Sequence, residues 1–454
     1  MAIKFELTRE YLEKLREVIR AENESKTKEL IQDLHAVDIA ELYDELNIKE
    51  TRFLYLLLEG EIAADVLAEL EEDDRERFLE LIPGKVIAEQ FIENMDTDDA
   101  ADIIGELPEA KKEDVLQHID DVKRAGDIVD LLSYDEDSAG GLMGKELIKV
   151  NENWTIMRCL KEMSLQAENV DEVYYVYVVD DNNKLKGTVS LKKMLLSKNI
   201  TKIKDIANED VIYVKTDTSG EEVANIMDKY DLVALPVVDS IERLIGRITI
   251  DDVVDFIRDE AEKDYQMASG ISEDVEHSDK VFVITRARLP WLLIGLIGGI
   301  LGALVISHYE GDLKINPQMA FFIPLIAAMG GNVGIQSSAI VVQGLAGRSL
   351  DLGSTGAKIL KELLVAIING VVLGSLIFAY NYFLTDDYAL TFTVSLALMI
   401  VILFAAVFGT LIPLMLHRIN IDPALATGPF ITTMNDIIGL FLYLMIGRVM
   451  YGLF

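Results

Sequence analysis

Apolar and polar positions divide the C-terminal part of the 454-residue chain into long hydrophobic stretches joined by short polar loops. A helix that crosses the hydrocarbon core of a bilayer needs about 20 predominantly apolar residues. The pattern therefore predicts five transmembrane helices, at about 290–307, 317–345, 359–383, 389–416 and 424–453. The first is short for a membrane span, although Trp291 and Tyr309 are placed to mark its two interfaces.

The loops between these segments differ in charge, which predicts the orientation in the membrane. Arg286 and Arg288 precede the first segment, and Arg348, Lys358 and Lys361 lie between the second and third. The alternate loops carry the sequences EGDLK and TDD. Because basic loops stay in the cytoplasm, we expect a multi-pass protein of the cell (inner) membrane, surrounded by membrane lipid, with a cytoplasmic N-terminus.

Amphipathic helical turns recur in the first 135 residues. The motifs VDIAEL, ADVLAEL, ADIIGEL and GDIVDLL, at 37–42, 64–70, 101–107 and 126–132, each pair an acidic residue with an apolar face. Helical repeats with irregular spacing stack into short solenoids. The sequence predicts such a solenoid, with an ordinary helical bundle as the alternative.

The spacing of apolar positions changes after residue 140, where strand-like runs replace the helical pattern. Residues 173–195 and 232–257 share one layout, namely a strand, a polar turn, a second strand and a helix, and a helix precedes each copy. This internal repeat resembles a tandem pair of CBS domains. The resemblance implies a regulatory module that binds an adenine nucleotide such as ATP, and the second copy keeps the family's Thr249 and Asp252. The first copy has Lys193 instead of the aspartate.

Charge is distributed as unevenly as hydropathy. Residues 286–454 contain eight basic and eight acidic residues, so the whole net charge of −35 lies in the first 285 residues. This acidity argues against nucleic acid as a partner and favours cations. The five histidines lack metal-ligand spacing, and no P-loop, GxSxG or HExxH motif occurs, so we do not expect an enzyme.

Asp436 stands at the centre of the last apolar segment, in the sequence FITTMNDIIGLFLYLM. A charge at that depth costs about 2.5–3.5 kcal/mol and usually faces a water-filled path. Arg448 is about 18 Å further along the helix. Thr432 supplies another oxygen near Asp436, and Gly428 and Pro429 are expected to break the helix. Oxygen ligands in a wet cavity suit Mg²⁺, which keeps several of its waters. The alternative is a hydrogen-bonded structural aspartate.

The second segment also contains polar and small residues at mid-membrane depth. The sequence GGNVGIQSS (330–338) includes Asn332 among its glycines. Such a composition predicts either irregular backbone that lines a cavity or close helix packing. We therefore include Asn332 in the candidate pore site.

Together these motifs make the chain similar to the MgtE family of Mg²⁺ channels over nearly its full length. The resemblance rests on SAGGLMG, YDLVALPVVD, GGNVGIQSS, DPALATGPF and TTMNDIIG. It implies a homodimer with five transmembrane helices per subunit and a pore between the second and fifth helices. It also implies that Asp436 of both chains holds hydrated Mg²⁺ and that the backbone of Thr432 faces the ion.

The same resemblance implies that Mg²⁺ bound among the acidic domains closes the pore. By position, the regulatory ligands are Asp98, Asp102, Glu221, Asp231, Asp252, Asp255, Glu260, Asp264 and Asp422. Asp98 and Asp102 lie four residues apart on one helical face, where two like charges destabilise the helix unless a cation screens them.

The predicted protein is a multidomain membrane protein with an all-α helical-repeat N domain, an α+β tandem CBS pair and a five-helix transmembrane domain. The predicted boundaries are 1–137 for the N domain, 138–199 and 200–257 for the CBS domains, 258–285 for a connecting helix and 286–454 for the membrane domain. The predicted function is a Mg²⁺-selective channel that cytosolic Mg²⁺ closes. The alternatives are a membrane-anchored sensor that transports nothing and a Na⁺-coupled Mg²⁺ transporter, which would be expected to show inverted repeats.

Overall fold

The chain forms two compact units, Met1–Arg258 and Asp259–Phe454. The computed structural model describes residues 7–43, 45–70, 72–167, 170, 173–272, 275, 280–346, 355–419, 421–426 and 428–453. The first unit contains the acidic domains, and the second contains the apolar segments.

Short α-helices make up the first part of the first unit. Within the described residues they are α1 (Arg9–Arg20), α2 (Glu24–Ile31), α3 (Ala36–Ala40), α4 (Ile48–Tyr55), α5 (Gly60–Ala68), α6 (Glu72–Glu80), α7 (Gly84–Gln90), α8 (Thr97–Glu106), α9 (Glu109–Gln117) and α10 (Val122–Leu131). Local polar signals define several starts. At α4, for example, Asn47 and Glu50 form a reciprocal capping box.

The packing of these helices favours the solenoid over the bundle. Helix α5 contacts α3 and α7, α7 contacts α9, and α8 contacts α10, so that each helix packs against elements close to it in sequence. The rings of Tyr55, Phe78 and Phe91 meet edge to face in the core, with centroids 5.1 and 5.9 Å apart. Each repeated motif contributes to one helix, which confirms the predicted helical character.

Two small sheets with the same topology follow. Their elements are β1 (Ile148–Asn151), α11 (Ile156–Gln166), β2 (Val176–Val179), β3 (Leu185–Val189), α12 (Leu191–Leu195), β4 (Val214–Lys215), α13 (Gly220–Tyr230), β5 (Ala234–Val238), β6 (Leu244–Thr249) and α14 (Ile250–Ala268). In each sheet the middle strand pairs in parallel with the first and antiparallel with the third. The identical strand order confirms the internal repeat that the sequence predicts.

The second sheet shares its hydrophobic core with the N-terminal helices, whereas the first sheet has a core of its own. The segment 138–144 joins the two parts. The backbone N–H of Ala139 donates to the carbonyl of Thr218 at 2.7 Å, and Gly144 and Arg247 exchange two backbone hydrogen bonds of 2.8 and 3.0 Å. The N-terminal helices and the second sheet therefore form one packed body.

The second unit consists mainly of long apolar helices. Its described helices are α15 (Val281–His308), α16 (Glu310–Ile315), α17 (Ile323–Ala346), α18 (Thr355–Leu384), α19 (Tyr388–Arg418) and α20 (Pro429–Leu453). Within the described residues, five helices have the length and hydrophobicity to cross a membrane, namely α15 and α17–α20. The predicted number of spans is confirmed, and the chain is a multi-pass membrane protein.

Two expectations about this unit need correction, and a third agrees with the structure. The first span is not short, because α15 has 28 residues and begins at Val281. The described residues of the predicted connecting helix (258–285) fall in two helices, α14 and α15, because Gly270 takes a φ of +82°, which ends the helical path. Gly428 and Pro429 interrupt the predicted fifth segment (424–453) as expected, since a 3-10 turn at Pro423–Ala426 precedes them and α20 begins only at Pro429. Pro429 is its first residue, a position where the missing N–H of proline costs little.

The glycines of the second segment serve close packing within a regular helix, so of the two alternatives the structure favours close helix packing over irregular backbone. Helix α17 continues through GGNVG without interruption and packs against α19 and α20. A Cβ at Gly334 would lie 1.9 Å from Asn435 Nδ2, and a Cβ at Gly409 would lie 2.4 Å from the Gly334 carbonyl oxygen. A side chain at either glycine would therefore separate the helices.

We predict that Gly409→Ala lowers the thermal unfolding midpoint of the full-length protein in detergent. Because the clash is with backbone atoms of Gly334, which cannot rotate away, we expect a loss of about 1–3 kcal/mol, as for other overpacked cores. Gly299→Ala is the matched control, since nothing lies within 4 Å of a Cβ there. Equal midpoints for the two variants would contradict the packing argument.

Candidate cation sites

Asp436 lies on α20, where that helix faces α17. Its side chain is half-buried, and a Cβ at Gly331 would lie 3.8 Å from Asp436 Oδ1. The described residues contain no ion pair to Asp436. Arg448, the nearest basic residue along the helix, pairs with Asp312 at 2.7 Å instead. The carboxylate is therefore without a basic partner at membrane depth, as the sequence predicts.

The other two pore candidates flank this position differently. Thr432 lies one turn before Asp436 on α20. Its hydroxyl donates to the Gly428 carbonyl at 3.3 Å, and the Thr432 methyl group is close to Gly331. Asn332 instead lies on the exposed face of α17 together with Gln336. The structure thus brings Thr432, Asp436 and Gly331 together and places Asn332 beside them on an uncovered polar face.

The first unit contains a second group of carboxylates at the start of α8. One carboxylate oxygen from each of Asp96, Asp98 and Glu146 lies within 4.8 Å of the others. Glu146 accepts from the Thr97 hydroxyl at 2.8 Å and from the Thr97 N–H at 3.2 Å, so it also caps α8. A Cβ at Gly144 would lie 2.8 Å from Asp98 Oδ2, which shows how closely the backbone approaches this carboxylate.

Like charges surround Asp98, from α8 and its N-cap, from α14 and from the segment that carries Glu146. Burial, together with repulsion from Asp252, Asp99, Glu146 and Asp96, raises the pKa of Asp98 well above its usual value. Burial likewise raises the pKa of Asp252, although Thr249 opposes the rise by donating to Asp252 Oδ2 from its hydroxyl and its N–H, at 2.6 and 2.8 Å. A proton or a cation is needed to neutralise this group.

Asp99 and Asp102 extend the acidic group along α8. Each keeps a solvent-exposed edge, yet the protein around the carboxyls removes enough water to raise the pKa of both to about 7. Neighbouring acids add to the shift, and Arg75 opposes it. The predicted pair Asp98 and Asp102 therefore lies on one helix and in one negative field.

The remaining regulatory candidates are dispersed among other elements. Glu221 lies in the first turn of α13, and Asp231 ends α13 in a left-handed conformation. Asp255 pairs with Arg258 at 3.6 Å, and Glu260 pairs with Lys263 at 3.1 Å.

Three of the candidates, Glu260, Asp264 and Asp422, belong to the second unit. Asp422 accepts from the Ala424 N–H at 2.7 Å. The assignment of these three residues and of Glu221, Asp231 and Asp255 stays a prediction.

Sequence reasoning missed three members of the acidic group, Asp96, Asp99 and Glu146. Asp96 and Asp99 belong to the run DTDD, where four polar residues before an apolar face mark a helix start. Glu146 is separated from α8 by 40 residues and shows no periodic signal. Only the fold of segment 138–146 against the second CBS domain brings it to Thr97.

Comparison with known proteins agrees with this architecture. The family model described as a divalent cation transporter, MgtE, matches residues 323–446. The MgtE intracellular N domain matches 34–137, and the CBS domain matches 139–197 and 203–259. The matched ranges fall within the second unit, on most of the N-terminal helices and on the two sheets.

Individual proteins match over nearly the whole chain. The magnesium transporter MgtE of Thermus thermophilus is 32% identical over 96% of this chain and 97% of its own length. MgtE of Bacillus subtilis is 30% identical over 92% of both chains. The solved cytosolic domain of the Mg²⁺ channel MgtE in complex with ATP has a TM-score of 0.50 and 32% identity, and the match covers 54% of this chain and 99% of that one.

The five candidate membrane spans and the match to the divalent cation transporter family model give a multi-pass membrane protein of the cation-transporter class, which is not a class of enzymes. The identity over almost the entire length is specific to one family. The chain belongs to the MgtE family of magnesium transporters.

We predict that helix α8 loses protection from hydrogen exchange as the pH rises when divalent cations are removed. The folded-state pKa values of Asp99 and Asp102 are about 7, above the unfolded value of about 3.9, so the folded state binds more protons between these values. Its stability is therefore greatest at low pH and falls as the pH rises through this window.

Exchange of the α8 amides, measured by mass spectrometry in EDTA and corrected for the chemical rate, tests this sign. Protection should be lower at about pH 8 than at about pH 5, and millimolar Mg²⁺ should restore it at the higher pH. Asp98→Asn/Asp252→Asn, in which two neutral amides replace two carboxylates, should reduce the pH dependence. If the protection of α8 is independent of both pH and Mg²⁺, repulsion between these carboxylates does not destabilise the helix.

Proposed function

We propose that this chain is a Mg²⁺-selective channel that imports Mg²⁺ into the cytoplasm and that it acts as a homodimer in the inner membrane with a cytoplasmic N-terminus. The observation that carries the proposal is the uncovered polar face of α17. Asn332 and Gln336 are exposed at membrane depth, where amides in contact with lipid are unfavourable. Such a face needs water or a second subunit beside it.

Asp436 supplies the charge for this path. It lies next to Gly331 on the side of α20 that faces α17, and the described residues offer it no ion pair. A carboxylate that lacks a basic partner inside a membrane is stabilised by water and a cation. A second copy of the chain would add another carboxylate, and two acidic groups with several waters between them suit hydrated Mg²⁺.

The acidic group around Asp98 provides the sensor in this proposal. Without Mg²⁺, repulsion between Asp98 on α8 and Asp252 on α14 pushes the two elements apart, because their charges are partly shielded from water. Mg²⁺ between the carboxylates would reverse this force. Asp98 and Asp252 are the central ligands, and Asp96, Asp99, Asp102 and Glu146 adjust the local charge.

The end of α14 offers a route from the sensor to the pore. Within the second unit, a Cβ at Gly428 would lie 2.3 Å from the Ala268 carbonyl oxygen, and a Cβ at Gly270 would lie 2.5 Å from the ring of Pro429. The carbonyl of Ala268, the last residue of α14, therefore packs against Gly428, the residue before α20, and Gly270 packs against the ring of Pro429, the first residue of α20. A displacement of α14 would shift the start of the helix that carries Asp436.

ATP binding stays a prediction, restricted to the second CBS domain. Thr249 and Asp252 are the residues that match the nucleotide-binding pattern, but Asp252 Oδ2 already accepts both hydrogen bonds from Thr249 and faces other acids. We assign Asp252 primarily to the cation sensor. A nucleotide at this position would compete with the cation for the same carboxylate.

We predict that Asp436→Asn lowers Mg²⁺ flux into liposomes by about a hundredfold or more while the protein still folds. The amide keeps the shape but removes the charge, and the lost cation attraction at partial burial is worth at least about 2.7 kcal/mol on the scale of charged hydrogen bonds. Asp386→Asn, in the exposed loop between α18 and α19, is the matched control and should keep full flux. Normal flux through Asp436→Asn would exclude the aspartate as the pore ligand.

We predict that Asp98→Asn/Asp252→Asn channels stay open at internal Mg²⁺ concentrations that close the unchanged protein. Neutral amides neither repel one another nor attract the bridging ion, so closure should require about tenfold more Mg²⁺ or fail. Flux into liposomes with graded internal Mg²⁺ measures this shift. Asp33→Asn, an exposed aspartate outside the acidic group, should close normally, and normal closure of the double variant would remove these two residues from the sensor.

A further inference from the structure

Asn435, the neighbour of Asp436, has a buried amide group without partners. Its side chain is 1% exposed, and neither Oδ1 nor Nδ2 has a hydrogen-bond partner among the described residues. The amide packs instead against the backbone of α17, since a Cβ at Gly334 would lie 1.9 Å from Nδ2. Leaving both ends of an amide unpaired in an apolar environment is unfavourable.

One more unpaired polar group and a proline lie along the same helix contact. The hydroxyl of Ser338 is fully buried without a partner in the described chain, one turn beyond Gly334 on α17. On α19, Pro413 has no N–H to donate to the carbonyl of Gly409 four residues earlier. Gly409 is the residue that touches Gly334. Among the described residues, the junction of α17, α19 and α20 is therefore tightly packed and leaves the side-chain polar groups of Asn435 and Ser338 without hydrogen bonds.

The outer half of α20 is different, because its polar groups are well paired. The Tyr443 hydroxyl donates to the Met319 carbonyl at 2.8 Å. Arg448 donates to Asp312 at 2.7 and 2.9 Å, and its guanidinium group lies over the ring of Tyr309 at 4.4 Å. One end of the helix is thus anchored by directional bonds, and the other end is held by glycine contacts with unpaired amide and hydroxyl groups.

We propose that Asn435 is a positioning residue for transport, whose unpaired amide favours movement of the inner half of α20 about its anchored outer half. Residues 435 and 436 are adjacent on the helix, so a shift that loosens the contact with Gly334 admits the amide to the polar path beside Asp436. The same shift moves the Asp436 carboxylate. This inference rests on the proposed function, because it assigns the movement to the conducting cycle.

The main test replaces the amide by an apolar group of similar size in the full-length protein. Asn435→Leu removes the unpaired polar atoms and should favour the tight packing. The thermal midpoint should stay equal or rise, whereas Mg²⁺ flux into liposomes without internal Mg²⁺ should fall about tenfold or more, the factor that corresponds to about 1.4 kcal/mol. Unchanged flux would overturn the proposal.

The chain offers a matched control in Asn381 on α18. This asparagine is also fully buried with both amide atoms unpartnered among the described residues. Asn381→Leu makes the same chemical change away from the contact of α17 with α20. It should leave the flux unchanged, and an equal loss of flux in both leucine variants would overturn the assignment to Asn435.

A second pair separates positioning from simple packing, including the case in which Asn435→Leu fails to fold. Asn435→Ser and Asn435→Ala leave nearly the same cavity, but only serine keeps a hydrogen-bonding group. Serine should retain several-fold more flux than alanine at equal amounts of folded protein, and equal flux would identify a structural role. Asp436→Asn, measured in parallel, tests the pore itself: if it conducts normally, the proposed function fails, whatever Asn435 does.

Discussion

Carboxylates shielded from water without a basic partner are the constraint on which both units of this protein depend. At Asp98 the surrounding charges are mostly acidic, so burial and repulsion act in the same direction. At Asp436 the described membrane helices provide no ion pair, and the nearest arginine along the helix is held by Asp312. In both places the missing charge has to come from a proton or a cation. A bound divalent cation would supply the missing positive charge at both places.

Close backbone contacts couple this unbalanced negative charge to the positions of the helices. Gly334 and Gly409 let the backbones of α17, α19 and α20 approach so closely that no side chain would fit at these positions. Gly331 allows a close approach of the helices beside Asp436. Helices packed in this way adopt a few discrete relative positions instead of a continuous range of positions. A small shift at the start of α20, where Ala268 touches Gly428, can therefore change the surroundings of Asp436. The unpaired amide of Asn435 makes the packed arrangement easier to leave.

Periodicity predicted the secondary structure well wherever one rule acted alone. The apolar segments became five spanning helices, and the alternating runs at 173–195 and 232–257 became matching sheets. The sequence left alternatives open where glycine had two possible roles. The glycines of GGNVG pack a regular helix instead of distorting it. The sequence shows that such a residue is present, but its neighbours in space decide which role it takes.

Local properties were thus determined by the sequence alone: the membrane spans, the CBS repeat, the location of the negative charge and the isolated aspartate at position 436. These depend on hydrophobicity and charge along a single segment, so no partner is needed to infer them. The tertiary structure decided which distant groups meet. It placed Glu146 at the cap of α8, Asp252 in the field of Asp98, and Asn435 against Gly334. Burial and repulsion arise only from atoms that the fold brings together, and no spacing along the chain encodes them.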